Sequence, residues 1–475
     1  MKTKRCFLPY FAIILIVTLT ACTTPSAPAT LPSLPASTLV PQTPTSAVTS
    51  TATHQPTETP IPVVSLDGLR VAYIIDGNLY LQDSGKQPVQ LTNSGKDHTP
   101  TFSDDGQKIV FYRGATQSLI NKGNLVYSAE QYADRYVINA DGSQEQVLLP
   151  PGSLTKLNRG YGKFTKFYNF NFIPGTHDLI FNTCEVKSAN DATGNLSSID
   201  IRSNQDLLIV NTDSMEIKSL LAPDKAGIFE LSPDKKLDIA YTEKYIDVVG
   251  TYEKIVRHHM IPYKSAWESE MTSTSWSQDS TKFVFVAPLT GNGDGLDGPE
   301  PESIWQYSIG KNSVREIRFN PPLMNNYFTF SPDGNWVVYH YFAYPGKTDE
   351  TFPAGVYVGN LLDGSSHQAT MPTGLPGPDD AYYQWNQKSD HFMMYHDSDR
   401  DKTIYLGNTQ GEIVPLTTAK LWIGWLDNQR YLFYRSDKLI MGELGKEEMM
   451  PVLSLPVGLK DLHANSFAYV FRNRP

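Results

Sequence analysis

A short turn motif returns along most of this chain, and it leaves few folds open. Phe102-Ser103-Asp104-Asp105-Gly106 precedes the apolar run Ile109-Val110-Phe111-Tyr112, and Phe330-Ser331-Pro332-Asp333-Gly334 precedes Val337-Val338-Tyr339. Trp276-Ser277-Gln278-Asp279-Ser280 before Phe283-Val284-Phe285 and Leu231-Ser232-Pro233-Asp234 before Ile239-Ala240-Tyr241 repeat the arrangement. Degenerate copies start at Ser65, Ile173, Asn386 and Leu426. A last one, with no turn signature, puts Phe467-Ala468-Tyr469 at the strand position. Intervals between copies run from 35 to 70 residues, so the unit is near 40 and the remainder is loop.

The chemistry of the unit predicts its shape. Ser, Asp and Gly make a tight turn, with Pro presetting φ and Gly accepting positive φ. The aromatic before the turn and the apolar run after it then lie on two antiparallel strands. Third strands follow at Leu79-Tyr80-Leu81, Tyr136-Val137-Ile138, Ile304-Trp305, Val356-Tyr357-Val358 and Ile404-Tyr405-Leu406. Asp-Gly turns (Asp141-Gly142, Asp363-Gly364) and short fourth strands (Val89 to Thr92, Val414 to Thr417) complete the unit. Four strands at this period predict an all-β fold, a β-propeller of four-stranded blades. Eight starts favour eight blades; seven is the alternative, and it turns on whether the 70-residue interval after Ser103 contains a complete unit. The incomplete copy after Leu462 is expected to lend inner strands to the first blade and close the ring.

The combination aromatic-Ser-Pro-Asp-Gly, apolar strand, Leu-Tyr, Asp-Gly and Leu-Thr resembles the TolB-type β-propeller repeat over residues 63–473. Tyr395-His396-Asp397-Ser398-Asp399-Arg400-Asp401 is similar to the Ser-Asp-Arg-Asp turn common between its second and third strands. The resemblance implies the fold and leaves the function open, because the repeat serves very different proteins. The amino-terminal α/β domain of TolB has no recognisable copy here.

Residues 1–22 read as a bacterial lipoprotein signal peptide. Lys2, Lys4 and Arg5 precede an apolar run from Phe7 to Leu19 that is too short to span a bilayer comfortably. Leu19-Thr20-Ala21-Cys22 resembles a lipobox, which implies a lipid on Cys22 and a place outside the cytoplasm, at the outer membrane or cell surface. Residues 23–62 are almost wholly Thr, Pro, Ser and Ala, with no aromatic residue. Such a segment buries too little apolar surface to offset its ordering entropy, and it reads as a disordered linker. At about 3 Å per residue, its forty residues reach roughly 100 Å from the bilayer. The propeller then occupies 63–475. Loss of the signal leaves 37 basic against 50 acidic side chains, a net charge of −13, which argues against nucleic-acid partners. Of three cysteines only Cys184 would remain unmodified, a buried structural thiol with no disulfide partner.

Motifs for chemistry are sparse. No G-x-S-x-G occurs, and the turns are one residue shorter than the sialidase-like Ser-x-Asp-x-Gly repeat. His258-His259 would point to opposite faces of a strand and could not share a metal. The loop Asn292-Gly293-Asp294-Gly295-Leu296-Asp297-Gly298 has the oxygens and glycines that suit Ca²⁺, with Asp294 and Asp297 as ligands, but lacks EF-hand spacing; a plain acidic turn is the competing reading. No other cofactor is expected. Trp276, Trp385 and Trp425 sit before the turns and read as core.

The expected function is a membrane-anchored binding or scaffold lipoprotein whose loop face takes a protein, peptide or glycan. The alternative is an envelope enzyme, a glycosidase or lyase, working in the same loops. With strands named A to D, the A–B turns are tight. The long segments 114–134, 185–204, 288–302 and 341–353 are B–C, and 152–166 and 372–380 are D–A, so all six share one face. Tyr127, Tyr132, Arg159, Tyr161, Tyr341 and Tyr344 on these segments are the recognition candidates.

Overall fold

A computed structural model describes residues 66–114, 119–120, 126–127, 134–150, 152–157, 165–190, 196–224, 229–234, 237–241, 245–250, 258–262, 274–288, 301–311, 313–324, 328–341, 352–372, 381–396, 402–455 and 467–471. Their strands form a β-propeller. Hydrogen bonding groups them into eight antiparallel sheets, each with a four-strand main path, plus a two-stranded pair. Within seven of the eight sheets the four strands follow in chain order from inner A to outer D. The A strands of sheets 2 to 8 are Asp97–Phe102, Thr165–Phe172, Phe229–Leu231, Thr274–Trp276, Phe328–Phe330, Ala381–Trp385 and Leu421–Trp425.

Sheet 1 breaks chain order. Its B, C and D strands are Leu69–Ile75, Asn78–Asp83 and Val89–Gln90, and its A strand is Phe467–Phe471 from the far end of the chain. Leu69 pairs with Phe471 and Tyr73 with Phe467, so the incomplete last copy closes the ring as expected.

The recurring motif makes one turn in several sheets. In sheet 2 the Ser103 amide donates to the Lys108 carbonyl, and Gly106 N–H donates back to Ser103 O. Ser103 Oγ donates to Asp105 Oδ1 at 2.6 Å, and that oxygen accepts the Gln107 amide at 3.0 Å. Ser277 with Asp279 and Ser331 with Asp333 repeat the hydroxyl–carboxylate bond at 2.6 Å. The fourth residue must be left-handed: Gly106 and Gly334 have φ of 63° and 64°, and Ser280 and Ser389 take 57° and 63° without a glycine's freedom.

Neighbouring turns are also tied to one another. Asp234 N–H donates to Ser280 Oγ and Asp333 N–H to Ser389 Oγ, both at 2.9 Å. Gly175 N–H reaches Asp104 Oδ2 at 2.7 Å, and Asn386 Nδ2 reaches Asn428 O at 2.9 Å.

The apolar runs after the turns become B strands whose side chains fill the space between sheets. Phe111, Phe181, Phe283, Tyr339, Phe392 and Phe433 are fully buried, each worth about 1.5–3 kcal/mol relative to exposure. Trp276, Trp385 and Trp425 are core residues as expected, and Cys184 is buried. Glycine on strand C makes room for rings: Phe392 packs where a Cβ on Gly407 would stand, and Tyr431 does the same at Gly442. His258 and His259 lie on one strand, His258–Pro262. Among the described residues no helix is long and apolar enough to cross a membrane.

Candidate functional site

The strand order divides the connections between two ends of the sheets. A–B and C–D turns are at one end, B–C and D–A connections at the other. All six long segments join B to C or D to A strands, so their flanking strands deliver them to the same end. One pairing shows the two kinds meeting there. Leu323 and Met324, between the D strand Ser313–Ile317 and the next A strand, pair in antiparallel register with Glu302 and Pro301 at the start of a C strand. In sheet 3 the B strand Asp178–Asn190 runs far beyond its C partner, and Leu196–Ser203 folds back along it. In the B–C connection of sheet 2 the separate pair forms, Leu119–Ile120 with Val126–Tyr127.

Of the recognition candidates, Tyr127 lies on that last strand. Tyr132, Arg159, Tyr161 and Tyr344 lie outside the described residues, as do Asp294, Asp297, Cys22 and the turn 397–401. Tyr341 is not a surface residue. It ends the B strand Trp336–Tyr341, and strand alternation puts it on the same side as Val337 and Tyr339. Its ring is fully buried, edge-on to Phe352 and Tyr357 at 6.3 and 6.1 Å, so it supports the loop face from inside the core.

The turn end carries features that no motif in the sequence announces. A cavity of about 880 Å³ opens there, bordered by Asp104, Pro174, Pro233 and Gln387 from four A–B turns. Its walls are the consecutive runs 100–103, 421–423 and 467–471. Each run belongs to an A strand that ends its sheet, so strand edges face the cavity with backbone amides and carbonyls.

Beside the cavity stands a cluster of charges between sheets 2 and 3. His177 Nε2 is 2.9 Å from Asp105 Oδ2 and its Nδ1 is 2.8 Å from Asp213 Oδ2. Lys108 Nζ, nearly buried, meets Asp213 Oδ1 at 2.7 Å and donates to Asn139 Oδ1 at 2.7 Å. Partial burial works against the charged imidazole, but the bonds to Asp105 and Asp213 raise its pKa above the ordinary histidine value. Lys108 and then His177 hold the Asp213 carboxyl below its usual range. Asp105 is lowered too: partial burial opposes this, and bonds from Ser103, the Gln107 amide and His177 prevail.

The junction of sheets 7 and 8 holds a cleft of about 610 Å³ bordered by Lys388, Asp390, His391 and Gln429. Asp390 is partly buried, yet bonds from Lys388, Asn386 and His391 bring its pKa to about 2. Lys108 and His391 both stand five residues after the first residue of their turn, which is the signal in the repeat that could have singled them out. Among the described residues no group of three or more His, Cys, Asp or Glu side chains is placed to hold a metal ion.

No family model and no curated protein matches the chain. Solved structures do resemble it. A eukaryotic initiation factor is similar at 11% identity, covering 80% of this chain and 84% of that one, with a TM-score of 0.44. An oligogalacturonate lyase in complex with manganese matches at 12% identity over 70% and 82%, TM-score 0.40. TolB from Acinetobacter baumannii matches at 13% over 71% and 79%, TM-score 0.31. At these scores the assignment to propellers rests on the strand order above.

Proposed function

We propose that this protein is a lipid-anchored binding or scaffold propeller held outside the cytoplasm, with the end that carries the long B–C and D–A connections as its recognition face. One observation supports this most: all six long connections emerge at one end, while the described A–B turns at the other are tight and bonded to their neighbours. Variable loops on a rigid frame are where binding function concentrates. The partner is a protein, peptide or glycan.

The test is capture with the soluble domain, residues 63–475. A double substitution, Arg159→Ala with Tyr161→Ala, is expected to weaken retention of the captured partner about tenfold or more if both side chains are central to the contact, with the melting temperature nearly unchanged. Retention equal to that of the unaltered domain would reject the loop face. The anchor is checked separately. A Cys22→Ser chain is expected to leave the membrane fraction or to accumulate with its signal uncleaved; normal processing and continued membrane association would exclude lipidation at Cys22.

A further inference from the structure

We propose that the junction between sheets 2 and 3 is a proton-operated latch on the rim of the central cavity, closed when the His177 ring carries both of its protons. The argument starts from the ring's two neighbours. Both nitrogens face carboxylate oxygens at hydrogen-bond distance, 2.9 Å to Asp105 and 2.8 Å to Asp213. A neutral imidazole has one N–H and one lone pair, so it satisfies one carboxylate and turns a lone pair on the other. Only the imidazolium donates to both.

The charges agree with this. Asp105 and Asp213 are balanced by His177 and by Lys108, which holds Asp213 from the other side at 2.7 Å. The remaining charged groups around the cluster are already engaged or more distant. Asp104 accepts the Gly175 amide, Asp178 accepts from Asn211 Nδ2, and Asp141 accepts from Ser143 while lending Lys108 a weak attraction. Loss of the second His177 proton leaves the cluster with one excess negative charge and one carboxylate facing a lone pair.

The location makes this a latch. Asp105 belongs to the A–B turn of sheet 2, His177 to that of sheet 3, and Asp213 to the turn between the C and D strands of sheet 3. Asp104 and Pro174, from the same two A–B turns, border the cavity. Loss of the His177 tie therefore loosens the junction beside Asp104 and Pro174, leaving the Gly175 amide on Asp104 and Lys108 on Asp213 as its remaining links.

The pH window follows from the signs. A histidine raised in the folded state contributes fully below its unfolded value, and the contribution disappears as pH rises through the folded value. The lowered carboxyls contribute above their unfolded values and fail in acid. The latch is thus closed between the carboxylate range and the raised histidine value, and it opens on the alkaline side.

The experiment uses the full-length chain. Histidine ring resonances are followed by NMR titration, and hydrogen exchange of segments 103–108 and 173–178 is compared at about pH 5.5 and about pH 8.5, corrected for intrinsic base catalysis. His177 is expected to titrate above an exposed histidine, and both segments to exchange several-fold faster at the higher pH. In His177→Gln the two segments should exchange at the faster rate at both pH values, and in Asp213→Asn the His177 titration should move down. Titration of His177 at or below the ordinary value would overturn the proposal. So would protection that changes with pH equally in wild type and His177→Gln.

Discussion

Ending the chain at Leu455, so that Phe467–Phe471 is never made, is expected to abolish the single cooperative unfolding transition. That strand is the innermost member of sheet 1 and pairs with five successive residues of Leu69–Ile75. Without it the inner edge of Leu69–Ile75 is unpaired, and Leu69, Val71 and Tyr73, buried against sheet 8, lose Phe467 and Phe471 from their cluster. Phe467 and Phe471 leave the core, and so does the bond from Tyr469 Oη to the Trp425 carbonyl at 3.1 Å. The Arg430 guanidinium, 5.2 Å from the Phe471 ring centre, loses that ring and keeps Asp427. Removing a buried Phe costs about 3–5 kcal/mol by itself, so two together approach the whole stability of an ordinary domain, about 5–15 kcal/mol. Calorimetry on the shortened chain should show a broad or absent transition. A sharp one within a few degrees of the full-length protein would mean that the ring does not depend on this closure.

The second large effect is expected at Asp97, where Asp97→Ala should cost about 3–5 kcal/mol because it removes the buried member of an ion pair together with its other hydrogen bonds. The Asp97 side chain is buried and grips Arg113 through both oxygens, at 2.6 and 3.3 Å. Its second oxygen also accepts from Thr92 Oγ1, and its amide donates to the Gly77 carbonyl at 2.8 Å. The residue therefore joins sheet 1 to sheet 2 and fixes the cation in place. Arg113 is mostly covered, stacked 4.4 Å from the centre of the Tyr136 ring. Glu145→Ala is the control: that carboxylate binds the same guanidinium from a more exposed position, and its loss should cost about 1 kcal/mol or less. Denaturant titration separates the two. Equal costs would refute the central role of Asp97.

The fold was legible because the turn is encoded locally and repeated. Phe102 to Gly106 and Phe330 to Gly334 carry the whole pattern, and they place the weaker copies around them. Those weaker copies work because the turn needs backbone bonds first. Ile173 has no hydroxyl, yet its amide still donates to the Asp178 carbonyl. Asn386 replaces serine by accepting the Asp390 and His391 amides with its side-chain oxygen. At Leu426 the turn is one residue shorter, closing on Arg430.

The His177 cluster was not legible, for the opposite reason. Asp105 and His177 are 72 residues apart, and His177 and Asp213 are 36 apart; only the packing of two sheets brings them together. Tyr341 failed differently. It follows the apolar core of its strand and so resembles the start of a loop, but the strand continues one alternation further and turns the ring inward.

The closing strand also orders events in time. On a growing chain Leu69–Ile75 is made among the first strands and its inner partner last, with the other seven sheets in between. For that whole interval the inner edge of sheet 1 is open, a template for any extended chain nearby. A half-made molecule is therefore exposed to pairing with another copy of itself, and the ring gains its final cooperativity only when the last few dozen residues arrive.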